Sequence, residues 1–346
     1  MRNVQRLQPH KAIAMAVTIA IFAAIGITSG CINDKSWQKY SGMIWHTTWH
    51  ITYLGDQDML TDVIDTLKIL EHSISAFDST STVSRINKQE SGLVDAHFSN
   101  VYNMSKKIHK ISNGMFDPTL SRLIEAWGFG KTHTVSPDTA RIEELLASTG
   151  IDKTWIEDGI LFKSSPEIEF NFSALAKGYG VDVASRVLTE RGCNNHMVEI
   201  GGEVACHGTN PEGKRWRIRI DTPEEEYLRA TYGENNMPAI HETIIVELNN
   251  EGLATSGNYR NFHTSPGRPF GHTISAKTGR PILTDILSAS VIAPTCMEAD
   301  AAATACMAMG SSDGMAMLLE EGLAGAFILN TGEVIYNEKM KEHMIK

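Results

Sequence analysis

Apolar and polar residues alternate from Ser41 to Tyr53, with Trp45, Thr47, Trp49, Ile51 and Tyr53 set against His46, Thr48, His50 and Thr52. A period of two places one set on a buried face, so this stretch predicts a half-buried strand that opens the folded domain. The period then lengthens. Met59, Val63, Leu67, Leu70 and Ile74 recur at helical spacing, as do Val101, Met104, Ile108 and Ile111, the second run closing at Asn113-Gly114. A short amphipathic helix is expected over Ile142 to Leu146, after Ser136-Pro137, and a hairpin over Trp155 to Phe170 around Asp158-Gly159. The polar segment Phe77 to Asn87 reads as turn and cap chemistry or, with its hydroxyls beside Arg85, as an anion site.

The stretch from Asn171 to His207 changes period three times within a short span. Ala176-Lys177-Gly178 places an ammonium and unhindered backbone at the mouth of a helix, where free N–H groups and the macrodipole favour a phosphate. Val181, Ala184, Val187 and Leu188 give that helix one buried face. His196 to Ile200 is a short strand, and Gly201-Gly202-Glu203 turns out of it with an acid at the exit. A tight connection without a ligand explains either glycine turn alone; two such turns flanking one helix and strand point to a site.

Further on, Trp216, Ile218 and Ile220 alternate with Arg217, Arg219 and Asp221, and Thr243 to Leu248 alternates likewise, which predicts strands of a sheet with one wet face. The Glu-, Asn- and Pro-rich segment between them reads as a surface insertion. A turn-rich region runs from Leu253 to Pro281. The run from Met297 to Met307 has high helix propensity and carries Asp300 and Thr304, four residues apart on one face. A carboxylate beside a hydroxyl suits a hard cation such as Mg²⁺, although a cap and a backbone-bonded threonine explain the same spacing.

The formal charge of −10 over 346 residues, with no basic patch, excludes a nucleic-acid footprint. An anionic ligand therefore needs local donors or a metal. Arg2, Arg6 and Lys11 precede an apolar run from Ala12 to Ile27, followed by Thr28-Ser29-Gly30-Cys31. That is a signal-peptide pattern, and the small residues before Cys31 resemble a bacterial lipobox. Removal of residues 1–30 takes away three basic and no acidic side chains, moving the charge from −10 to −13. The expected organisation is a lipoprotein-type signal peptide at 1–30, a linker at 31–40 and one domain at 41–346. The protein is expected to be exported, on the periplasmic side of a bacterial membrane, and anchored by a lipid on Cys31. Cys193, Cys206, Cys296 and Cys306 form no C-x-x-C pair and read as buried thiols.

Eight islands in order resemble the ApbE family of FAD:protein FMN transferases. They are F-D-S-T-S-T-V-S-R-I-N at 77–87, G-M-F-D-P-T-L at 114–120, W-G-F-G at 127–130, A-L-A-K-G-Y-G-V-D at 174–182, E-I-G-G-E at 199–203, A-T-S-G-N-Y at 254–259, G-H-T-I-S-A-K-T-G-R-P at 271–281 and E-A-D-A-A-A-T-A at 298–305. The resemblance implies an α+β fold: a single ApbE-like, T-fold-related domain of mixed sheets and packed helices with a flavin cleft. It implies transfer of the FMN half of FAD, with Mg²⁺, to a Ser or Thr hydroxyl of an acceptor flavoprotein subunit of a redox complex, releasing AMP. The family's metal ligands fall on the Ala176 carbonyl, Asp300 and Thr304. Its flavin contacts fall on Phe77, Phe116, Asp117, Thr119, Ser173, Lys177, Gly178, Tyr179, Asp182, Glu203, Thr255, Ser256, His272 and Thr273.

Several positions depart from the family pattern. Trp45-His46 stands where Met-Gly is common, Phe77 where Tyr is frequent, Asn171-Phe172 for Asp-Leu, and Ser275-Ala276 for Asp-Pro. For the base that accepts the hydroxyl proton, His272 is the first candidate and Asp300 or Asp182 the second. Two other functions share these residues: an Mg²⁺-dependent FAD pyrophosphatase giving FMN and AMP, and a periplasmic flavin-binding lipoprotein without turnover.

Overall fold

The computed structural model describes residues 35–55, 58–129, 138–223, 225–234, 237–257, 262–265, 268–271 and 273–345. The chain divides at Ser36, and the mixed α+β fold occupies Trp37–Lys346. Its centre is an eight-stranded sheet whose spatial order is the chain order. The strands are β1 (Ser36–Ile44), β2 (Thr47–Gly55), β3 (His196–Ile200), β4 (Glu203–His207), β5 (Glu251–Gly257), β6 (Ile286–Ala293), β7 (Ala324–Leu329) and β8 (Val334–Tyr336). From β2 onward each adjacent pair is antiparallel, so helices and hairpins enter as insertions between neighbours rather than as parallel crossovers.

Five helices matter for the site: α1 (Leu60–Ile74), α2 (Ala96–Ile111), α3 (Ala176–Glu190), α4 (Cys296–Met309) and α5 (Ser311–Glu320). Val198 and Ile200 of β3, Ala254 of β5 and Val291 of β6 pack with Leu67 of α1, Phe98 of α2, Val181 of α3 and Ala299 of α4 in one core. The alternate residues Val204, Leu253 and Ile292 face the other way, onto Trp216, Val246 and Leu248. Helix α4 is buried almost all round. Its Ala299, Ala301, Ala302, Ala303 and Ala305 are fully buried, and the small side chains let it lie close against both the sheet and α3. A Cβ on Gly252 of β5 would fall 2.3 Å from the Cys296 amide nitrogen, which measures how close that approach is.

The helices expected around Met59–Ile74, Val101–Ile111, Ile142–Leu146 and Met297–Met307 are present, as is the hairpin turning at Asp158 and Gly159 with φ 49° and 74°, although it spans Thr154–Lys163 and stops short of the expected Phe170. Other elements differ. The single strand expected over Ser41–Tyr53 is a hairpin, turning at Trp45 and His46 with φ 49° and 61°. These residues carry no turn signal, and the alternation runs through the turn unbroken. Strand β1 starts at Ser36, inside the segment expected as linker. Trp216–Arg219 and Ile245–Leu248 pair with each other, apart from the main sheet, with Val246 also bridging to Met344, and they cover the second face of that sheet. The segment between them, expected as a surface insertion, includes a helix at Glu225–Tyr232 that packs Tyr227 and Leu228 against Leu287 and Ile328. Strand β7 is an apolar run without alternation, so its pattern does not distinguish strand from buried helix.

Candidate active site

Helix α3 crosses α4 at its own first turn. A Cβ on Gly178 would meet the Cys296 carbonyl oxygen at 2.4 Å and Asp300 Cβ at 2.8 Å, so only glycine allows this crossing. The contact brings the Gly178 N–H to Oδ2 of Asp300 at 3.0 Å. The amide expected to face an anion is thus already used by a carboxylate. Lys177 remains at the helix mouth, with Nζ 2.5 Å from Oε2 of Glu203, which is 1% exposed. That oxygen makes no aligned hydrogen bond, so the contact is an ion pair, and Glu203, the first residue of β4, does more than leave the glycine turn.

Glu203 and Asp300 share this ammonium. Burial raises the Asp300 carboxyl to about 7, with Glu203 and Asp182 reinforcing the shift while Lys177 and the Gly178 N–H oppose it. Burial likewise lifts Asp182 to about 6 against the pull of the Met297 and Cys296 amides and Arg186. Asp182 accepts those two amides at 2.8 Å each, and the Thr295 hydroxyl accepts the Glu298 N–H, so the first turn of α4 is capped from α3 and from its own N-cap. With one amide on each oxygen, Asp182 caps α4.

One turn beyond Asp300, the Thr304 hydroxyl donates to the Ala174 carbonyl at 3.3 Å and lies 3.1 Å from the Ser256 hydroxyl of β5. The carbonyl at Thr304 therefore belongs to Ala174 and not to Ala176. Ala176 is the first residue of α3, so its own carbonyl points along the helix toward the amide four residues on. A backbone oxygen has no side-chain signal; the Ser173 N–H bonded to Oδ1 of Asn171 at 2.9 Å marks the turn that presents it. Carboxylate, two hydroxyls and a carbonyl form an all-oxygen donor set suited to Mg²⁺. Among the described residues no group of three or more His, Cys, Asp or Glu is placed to hold a metal, so a cation here would complete its shell with water or phosphate oxygens.

The structure distributes the expected flavin contacts unevenly. Lys177, Gly178, Glu203 and Ser256 lie in the cluster. Phe77 is 62% exposed, leaving its ring open to stacking, and Ser173 is exposed as well. Thr273 is half-buried. Tyr179 turns inward instead: it is 1% exposed, with its hydroxyl 3.0 Å from His97 Nδ1 and 2.8 Å from Asn100 Nδ2. Phe116 is a core residue. Asp117 accepts from the Thr119 amide and hydroxyl and from the Ile151 N–H, and the Thr119 hydroxyl takes the Gly150 N–H, so this pair is a buried staple between two loops. Thr255 pairs with Ser290 at 2.8 Å on the face of β5 opposite to Ser256, because neighbouring strand residues point apart. His272 lies outside the described residues.

The ApbE family model matches residues 45–327. A protein named FAD:protein FMN transferase from Haemophilus influenzae is 31% identical over 337 residues, 92% of each chain. One of the same name from Vibrio cholerae is 31% identical over 328 residues, 91% of this chain and 94% of the other. Among solved structures, the flavin transferase ApbE of Vibrio cholerae superposes with a TM-score of 0.77 at 30% identity, covering 89% of this chain and 99% of that one.

Proposed function

Because the chain belongs to the ApbE family, we propose that it is a transferase that moves the FMN moiety of FAD onto a Ser or Thr hydroxyl of an acceptor protein, with AMP as the leaving group. One observation carries this reading: an oxygen-only cluster of Asp300, Thr304, Ser256 and the Ala174 carbonyl lies at the mouth of the helix that bears Lys177. Asp300, Thr304 and the Ala174 carbonyl would hold Mg²⁺, which when bound supplies positive charge to the pyrophosphate oxygens. Two buried acids, Glu203 and Asp300, facing one ammonium favour a second cation there on charge grounds.

Lys177 would lie along the pyrophosphate, and Glu203 fixes where its ammonium stops. Phe77 offers a ring face to the isoalloxazine. The acceptor hydroxyl must lose a proton as it attacks. Asp182 is engaged as a helix cap and Asp300, as a Mg²⁺ ligand, would be held charged by the cation, so the proposed base remains His272, the first candidate from the sequence. We further propose that residues 1–30 direct export and that a lipid on Cys31 anchors the protein on the periplasmic side of a membrane, beside the redox complexes that supply acceptors. Among the described residues no helix is long and apolar enough to cross a membrane.

Incubating the protein with FAD, Mg²⁺ and candidate acceptor subunits, then following covalent flavin by fluorescence in a denaturing gel, tests the transfer. FMN released rapidly without an acceptor would make the protein a pyrophosphatase; FAD left intact with an acceptor present would make it a binding protein. Asp300→Ala is expected to lose Mg²⁺-dependent AMP release, and undiminished release would refute the metal assignment.

A further inference from the structure

Lys177 is laid against the Gly201-Gly202 turn. A Cβ on Gly201, which has φ +64°, would fall 3.2 Å from Lys177 Cδ and 2.9 Å from Thr47 Oγ1. Both glycine amides are tied down. The Gly201 N–H donates to the Thr48 carbonyl at 2.9 Å, and the Gly202 N–H donates to Oε1 of Glu199 at 2.6 Å. The other carboxylate oxygen of Glu199 lies 2.6 Å from Nδ1 of His50, its direct cross-strand partner on β2. Glu203 follows the turn and meets the Lys177 ammonium from the buried side. A glycine pair is the most pliable turn the backbone offers, yet here it forms one wall of a charged site.

We propose that Glu199, oriented by His50, is a positioning residue for Lys177: its carboxylate closes the Gly201-Gly202 turn and so holds the wall that fixes where the ammonium lies. The role rests on the reading of this site as one that handles the FAD pyrophosphate. A charged acceptor on the Gly202 N–H gives a stronger bond than a neutral one, and the His50 contact holds the carboxylate in the plane of the turn. Without it the turn relaxes, and Lys177 keeps its charge but loses its place.

The test compares wild type, Glu199→Ala and Glu199→Gln in the full folded chain, with two readouts. The first is the rate at which a small acylating reagent labels Lys177, followed by peptide mass spectrometry. The second is kcat and KM for FAD in the transfer assay. Loss of one charge-assisted hydrogen bond predicts a fall of about tenfold in kcat/KM for FAD in Glu199→Ala, together with faster labelling of Lys177. Glu199→Gln retains an acceptor for Gly202 and is expected to recover to within about threefold of wild type. Equal labelling rates in wild type and Glu199→Ala would overturn the proposal. So would a Glu199→Gln variant as impaired as Glu199→Ala, with both thermal midpoints falling together, since that pattern belongs to fold stability alone. Absence of FMN transfer by the wild type would sink the functional reading, and the labelling comparison would still decide whether Glu199 places Lys177.

Discussion

Gly178→Ala sets helix propensity against packing, and the distances decide between them. In a free helix the added methyl favours the fold by about 1 kcal/mol or less. Here the new Cβ would sit 2.4 Å from the Cys296 carbonyl oxygen and 2.8 Å from both its carbonyl carbon and Asp300 Cβ, well inside the 3.0–3.4 Å range of even tight contacts. The first turns of α3 and α4 must then part by roughly 0.6–1 Å, and because the obstructing atoms include backbone no rotamer change relieves them. Overpacking of this kind costs about 1–3 kcal/mol, and the backbone clash places it toward the upper end, so after the propensity gain a net loss of up to about 2 kcal/mol is expected. The same displacement stretches the 3.0 Å bond from the Gly178 N–H to Asp300 past useful length and shifts the Asp182 cap. Urea unfolding should show a lowered midpoint at unchanged m-value, and Mg²⁺-dependent flavin transfer should fall at least about tenfold, since catalytic geometry tolerates little displacement. A variant as stable as wild type with undiminished transfer would refute the claim that this crossing builds the site.

Lys177→Met should leave Glu203, 1% exposed, without its counter-ion and cost about 3 kcal/mol at neutral pH, with Glu203→Gln in the same chain restoring most of it. Additive losses in that double-mutant cycle would show that the two groups are uncoupled. His196 is fully buried, with Nε2 2.7 Å from the Ser185 hydroxyl, Nδ1 2.9 Å from the Cys193 carbonyl and its ring stacked on His207; burial lowers it from 6.5 to about 4. A histidine with a depressed folded pKa takes its proton first in the unfolded chain, so stability should be intact above pH 6.5 and fall by up to about 3 kcal/mol as pH drops from 6.5 toward 4. His196→Gln should remove that part of the acid slope in urea titrations; identical slopes in the two proteins would contradict it.

How much of the site could be read from residue order depended on whether neighbours in sequence also share a face. Asp300 and Thr304 were legible as a pair because four residues make one helical turn. Lys177 was legible as a cation at a helix mouth, because it sits beside Gly178 just before the apolar spacing that starts at Val181. Tyr179, Phe116, Asp117 and Thr255 were legible only as residue types. An aromatic or an acid in a motif can face a cleft or the core, and local periodicity does not say which when the segment is buried on both sides. Asp182 shows this well: its spacing from Lys177 is unchanged by the role it plays, and only the arrival of α4 makes it a cap.

By itself the amino-acid order determined the main helices, such as those at Leu60–Ile74, Ala96–Ile111 and Cys296–Met309, the acidic balance and the family to which the chain belongs. These rest on short-range periodicity and on motifs that keep their order whatever their surroundings. The tertiary structure alone decided that Ser256 and the Ala174 carbonyl meet Thr304, that Gly178 gives its amide to Asp300, and that Glu199 reaches round to the turn behind Lys177. Those contacts join elements separated by about 50 to 130 residues, apart from the Glu199 turn, and they exist because glycines and alanines let α3, α4 and the sheet approach to backbone contact.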